Sequence, residues 1–146
     1  MASNSALETL IELATTQSDE AAKRLGQAIK ACEDTEQKLA LLLQYRDEYS
    51  ARFQAGMARG ISATGYRNFQ LFIEKLDTGI TGQQQIVLEA KQRMNDERSA
   101  WQASERKRMS YDTLAARAEK VQLQKENKRD QKLMDEHANR QASYKR

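Results

Sequence analysis

The chain has 146 residues, 39% of them hydrophobic and 31% charged, with 24 Lys and Arg against 21 Asp and Glu. Length suits a single domain, 1–146, and so polar a composition excludes a thick globular core, while the lack of proline leaves nothing to force a helix to stop. The longest apolar run, Leu39–Leu43, is too short to span a bilayer, the start lacks the basic region of a secretory signal, and the single cysteine suits a reducing compartment, so a cytoplasmic protein is expected.

The first predicted element is a long helix over about 5–53. Ser5 stands three residues before Glu8, a capping-box spacing. Two interleaved heptad series follow. Leu7, Ala14, Ala21, Ala28, Thr35, Leu42 and Tyr49 form one; Ile11, Ser18, Leu25, Cys32, Leu39, Arg46 and Phe53 form the other. Their alternation of threes and fours is a coiled-coil seam, and its small alanines call for a close partner helix.

Next comes a turn over about 54–67, where Gly56, Gly60 and Gly65 crowd together. A second helix is expected over about 68–140. Phe69, Leu76 and Ala90 form one series, interrupted by Gln83, and Ile73, Ile80, Val87, Met94 and Trp101 form the other. Beyond Trp101 the apolar pattern slips and resumes at Tyr111, Leu114, Ala118 and Val121, which reads as a stutter. Gly79 and Gly82 weaken the helix without breaking its register. Folding back near Gly60 brings Leu7 opposite Tyr111 and Leu114, where the second stripe fades. The fold class expected is therefore all-α: a long, monomeric, two-helix antiparallel coiled-coil hairpin.

No catalytic constellation stands out. One cysteine and one histidine, His137, cannot build a metal cluster, no phosphate-binding glycine motif is present, and no cofactor is expected. Cys32 lies on the seam and reads as a small core residue. Tyr45, Tyr49, Phe53, Tyr66, Phe69 and Phe72 all flank the turn. They cement the tip, or, since two helices cannot bury so many rings, part of them joins Leu42 and Leu76 in a patch for a partner. Residues 117–146 hold nine bases and five acids and form a basic overhang from about 117, with Arg117, Lys120, Lys125, Lys128, Arg129 and Lys132 spread around the helix. Such an overhang attracts nucleic acid, an anionic membrane surface or an acidic protein pocket, although mixed signs and few aromatics disfavour base stacking.

In "ALETLIELA", "YRDEY", "GMARGISATGYRNFQLFIEKLD" and "ENKRDQKLMDEHANR" the chain resembles the flagellar export protein family FliJ over nearly its whole length. The turn and the C-terminal string carry the resemblance, because they are not periodic. It departs from the family at "TGITG", after Leu76. The resemblance implies a non-enzymatic antiparallel coiled coil similar to the central stalk of rotary ATPases, soluble and attached to the membrane only through the type III export apparatus, at the flagellar base. It implies insertion into the ring of the export ATPase (FliI), linkage to the export gate (FlhA), handling of export chaperones, and no nucleic-acid partner. On the hairpin, Leu42, Tyr45, Tyr49, Phe72 and Leu76 are then the candidate gate contacts, and Arg117, Lys120, Lys125, Lys128, Arg129 and Lys132 the candidate ring contacts. The competing readings are a coiled-coil arm that binds nucleic acid through its basic end, and the equivalent stalk of a virulence secretion system.

Overall fold

The computed structural model describes residues 2–145, with side chains from residue 5 onward. Two helices account for almost all of them: α1, Ala2–Met57, and α2, Ala63–Tyr144. They pack against each other as an antiparallel hairpin. Contacts across the pair descend in order, from Tyr49 with Phe72 through Arg46 with Asp77 and Thr35 with Gln83 to Arg24 with Glu97.

The seam of α1 runs as its heptads dictate. All fourteen positions of the two series are buried or half-buried, and between residues 5 and 53 only Ile29 and Ser50 join them. Ala14, Ala21 and Ala28 are among the most deeply buried residues of the chain. A methyl side chain here lets the helices approach closely, so small residues rather than leucines become the core.

Helix α2 differs from its sequence reading in one respect. No stutter follows Trp101. Glu97, Ser104 and Tyr111 continue the Phe69 series through Gln83 without a break, and Arg108 and Ala115 continue the Ile73 series, all half-buried. Leu114, Ala118 and Val121, expected on the seam, are exposed. The heptad persists while its occupants turn polar, and an apolar count cannot follow it there.

The ends of the helices are also displaced from expectation. Helix α1 already begins at Ala2, so Ser5 lies inside it and its carbonyl accepts the Thr9 hydroxyl at 3.0 Å. The non-helical link is only residues 58–62. Gly60 alone takes a positive φ, 91°, where its amide meets the Met57 carbonyl at 3.1 Å, a helix C-terminal turn that L side chains resist. Gly56 and Gly65 belong to the helices instead. Gly65 makes room for Ile61, since a Cβ there would stand 2.9 Å from its Cγ2, whereas a Cβ on Gly56 would meet Ile61 at an ordinary 3.4 Å. Ser62 caps α2, its hydroxyl accepting the Gly65 amide at 3.1 Å. Two of the three glycines thus serve the turn, Gly60 through its φ and Gly65 through the space it leaves for a side chain.

Two compact units divide the chain. One is Asp19–Gln102; the other comprises the residues up to Ser18 and those from Ala103 onward.

Candidate functional site

Within the Asp19–Gln102 unit, the end nearest the turn is aromatic. Phe53 and Phe69 stack with ring centres 3.6 Å apart, Tyr49 stacks on Phe69 at 5.4 Å, and Tyr49 meets Phe72 at 4.2 Å. Tyr66 closes the row against Phe53 at 5.8 Å. Helical spacing explains the ladder: Tyr49 and Phe53, like Phe69 and Phe72, are one turn apart on facing helices. The ladder cannot enclose all its rings. Phe72 remains 44% exposed and Tyr66 45%.

Of the five gate candidates, Tyr49 and Phe72 are brought into ring contact, while Leu42 and Leu76 are half-buried seam residues. Tyr45 stands apart at 62% exposed, over a shallow surface shared with Leu41, Gln44 and Glu48. Leu41, 57% exposed, belongs to the same face and was not legible as a candidate, because its neighbours in "LALLL" suit the seam equally well.

The cross-helix charges of this unit were missed as well. Arg46 occupies a seam position and binds Asp77 with Nε at 2.5 Å and an Nη at 3.5 Å. This hydrogen bond holds the Asp77 carboxyl below its ordinary range and raises the guanidinium. Arg24 pairs with Glu97, and Lys91 with Glu36. Cys32 is buried and points its thiol at Glu36, and burial foremost pushes that thiol up, as befits an inert packing residue.

In the other unit, Ser18 is 2% exposed and donates to Glu105. Arg108 binds the same carboxylate at 2.8 Å and Asp112 at 3.1 Å. Hydrogen bonds from Arg108 and then Ser18 hold the Glu105 carboxyl below its usual value. Beyond Ala115 every described residue is exposed. Arg117, Lys120, Lys125, Lys128, Arg129 and Lys132 form no ion pair within 4 Å among the described residues. They are not spread evenly, as their spacing in the sequence implied. At 3.6 residues per turn, all six fall within one half of the circumference of α2. Leu123, Leu133 and Met134, 56%, 58% and 72% exposed, lie on the other half.

A family model described as the flagellar FliJ protein matches residues 3–146. The chain belongs to the FliJ family. The flagellar FliJ proteins of Escherichia coli (strain K12) and Salmonella typhi are each 33% identical to it over 142 residues, covering 97% of this chain and 97% of each relative. FliJ membership implies a role in flagellar export and partners within the export apparatus. Among the described residues no helix is long and apolar enough to cross a membrane.

Proposed function

We propose that this FliJ chain is a non-enzymatic stalk and coupling protein of the flagellar type III export apparatus, working at the cytoplasmic face of the membrane. In this reading the aromatic end, with Leu42, Tyr45, Tyr49, Phe72 and Leu76, contacts the export gate FlhA. The unit that holds the second half of α2, with the six bases from Arg117 to Lys132, enters the ring of the export ATPase FliI and promotes its assembly, and the hairpin also handles export chaperones.

The observation that carries the reading is the exposure of Tyr45 and Phe72 in the Asp19–Gln102 unit, while six bases of the other unit form no ion pair among the described residues. Exposed rings are the anchors that protein interfaces use. Bases gathered on one half of a helix suit an acidic wall, each contact being weak, ~0–1 kcal/mol. Tyr45→Ala is the cleanest test, because this side chain is off the seam. The variant is expected to keep its helical circular dichroism and to lose affinity for the isolated gate domain. Full affinity in a folded Tyr45→Ala protein would remove the patch from consideration.

A further inference from the structure

The unit built from the start of α1 and the second half of α2 carries an open groove of about 450 Å³. Its walls are Leu7, Ile11, Ala115, Ala118 and Leu123, and its rim is Glu8, Glu119 and Glu126, with Gln122 between them. We infer that this groove is a docking site for a basic amphipathic helix of a partner protein.

Four features of the groove lead there. The groove is apolar and uncovered: Leu7 and Ile11 are only half-buried, and Leu123 is 56% exposed. Its rim is acidic without compensation. No Lys or Arg lines it, Glu8 and Glu119 form no ion pair among the described residues, and Glu126 accepts only the amide of Gln122. The α1 side has the same sign, since the first 22 residues contain Glu8, Glu12, Asp19 and Glu20 and neither Lys nor Arg, while Arg117, Lys120 and Lys125 of α2 lie outside the lining. Finally, the dimensions suit a helix. The α2 wall from Ala115 to Glu126 runs about 16 Å at 1.5 Å per residue, the length of three turns.

The occupant follows from complementarity. A helix with apolar side chains one turn apart fills the floor, as in other helix-in-groove interfaces. Lys or Arg on its flanks meets the three carboxylates, which raises the rate and specificity of docking. The same rim repels nucleic-acid phosphates and anionic lipid headgroups, so neither is the ligand. The groove lies in the unit that the proposed function turns toward the ATPase. It deepens that reading by giving a cationic segment a seat, which the basic face of α2 cannot supply.

The test uses the full chain and a fluorescein-labelled 18-residue amphipathic helix of leucine and lysine as the probe. Binding is expected by anisotropy, with backbone amide shifts at Leu7, Glu8, Ile11 and Leu123 in an NMR titration. Charge reversal of the rim (Glu8→Lys, Glu119→Lys and Glu126→Lys together) should weaken binding about tenfold or more with helical content unchanged. Reversal of three acids outside the groove (Asp130→Lys, Asp135→Lys and Glu136→Lys) makes the same change in net charge and should weaken it far less. No binding, equal weakening by both triple variants, or shifts clustered elsewhere would overturn the docking site. Stimulation of the ATPase by the rim variant is measured in parallel. If the rim variant loses the peptide but stimulates fully, the groove stands and its connection with the ring falls.

Discussion

The side-chain amide of Gln83 donates to the backbone carbonyl of Thr35 at 3.0 Å, from a seam position that is only 5% exposed. One polar layer thereby ties α2 to α1 at a single register. A buried polar residue in a coiled-coil core fixes register and partner orientation at a cost in stability. Gln83→Leu should therefore keep or raise the melting temperature, because the Thr35 carbonyl retains its place in the α1 ladder. Gln83→Ala, which leaves a cavity, should cost about 1–3 kcal/mol. A loss in Gln83→Leu as large as in Gln83→Ala, measured by thermal circular dichroism, would show that the bond stabilises rather than specifies.

The glycines of this chain should respond to substitution with opposite signs. A Cβ on Gly79 or Gly82 meets nothing within 4 Å, and both lie inside regular α2. Gly79→Ala and Gly82→Ala should each stabilise by about 1 kcal/mol. Gly60→Ala should destabilise by about 1 kcal/mol or more, since its φ of 91° strains any L side chain. Gly65→Ala should also destabilise, through the 2.9 Å approach to Ile61. Urea midpoints for the four variants check all the signs at once.

Removal of the α2 cap isolates the turn. Ser62→Ala deletes the acceptor of the Gly65 amide and should cost about 1 kcal/mol, while Ser62→Asp should restore most of it. Equal stability of Ser62→Ala and the parent would mean that Tyr66, bonded to the Ser62 carbonyl, holds the helix start alone.

Acid should loosen the hairpin through two carboxylates. Asp77 and Glu105 are both held below their ordinary pKa by arginine hydrogen bonds. A depressed folded-state pKa contributes stability above the unfolded value, about 3.9 for Asp and 4.3 for Glu, and loses it as pH falls through the folded value. The melting temperature should accordingly fall between about pH 5 and pH 3. Asp77→Asn should melt lower at neutral pH and show a flatter profile across that window. An unchanged profile in Asp77→Asn would assign the acid response to other groups.

Truncation after Ala118 separates structure from recognition at the basic end. Ala115 is the last half-buried residue of α2, so the shortened hairpin should stay folded. It loses Lys120, Lys125, Lys128, Arg129 and Lys132 together with the Leu123 wall of the groove. Stimulation of the export ATPase is expected to disappear. A truncated protein that stimulates fully would place the ring contact elsewhere on the chain.

The seam of α1 was legible residue by residue, because a two-helix core repeats every seven residues and its hydrophobic periodicity records that repeat directly. So was the aromatic end, since six rings on both sides of a glycine cluster can only meet when the chain folds back. Where the helices end was less visible: a cap such as Ser62 and a glycine such as Gly65, which accommodates Ile61, act through a few atoms of local geometry. What the tertiary structure alone decided was the second half of α2. Glu97, Ser104 and Arg108 hold heptad positions there, and their polarity is met by Arg24 for Glu97 and by Glu105 and Asp112 for Arg108. A one-dimensional apolar pattern cannot register a polar residue whose burial is offset by a charge from another turn or the facing helix. It therefore placed Leu114, Ala118 and Val121 on a seam that their geometry turns toward solvent.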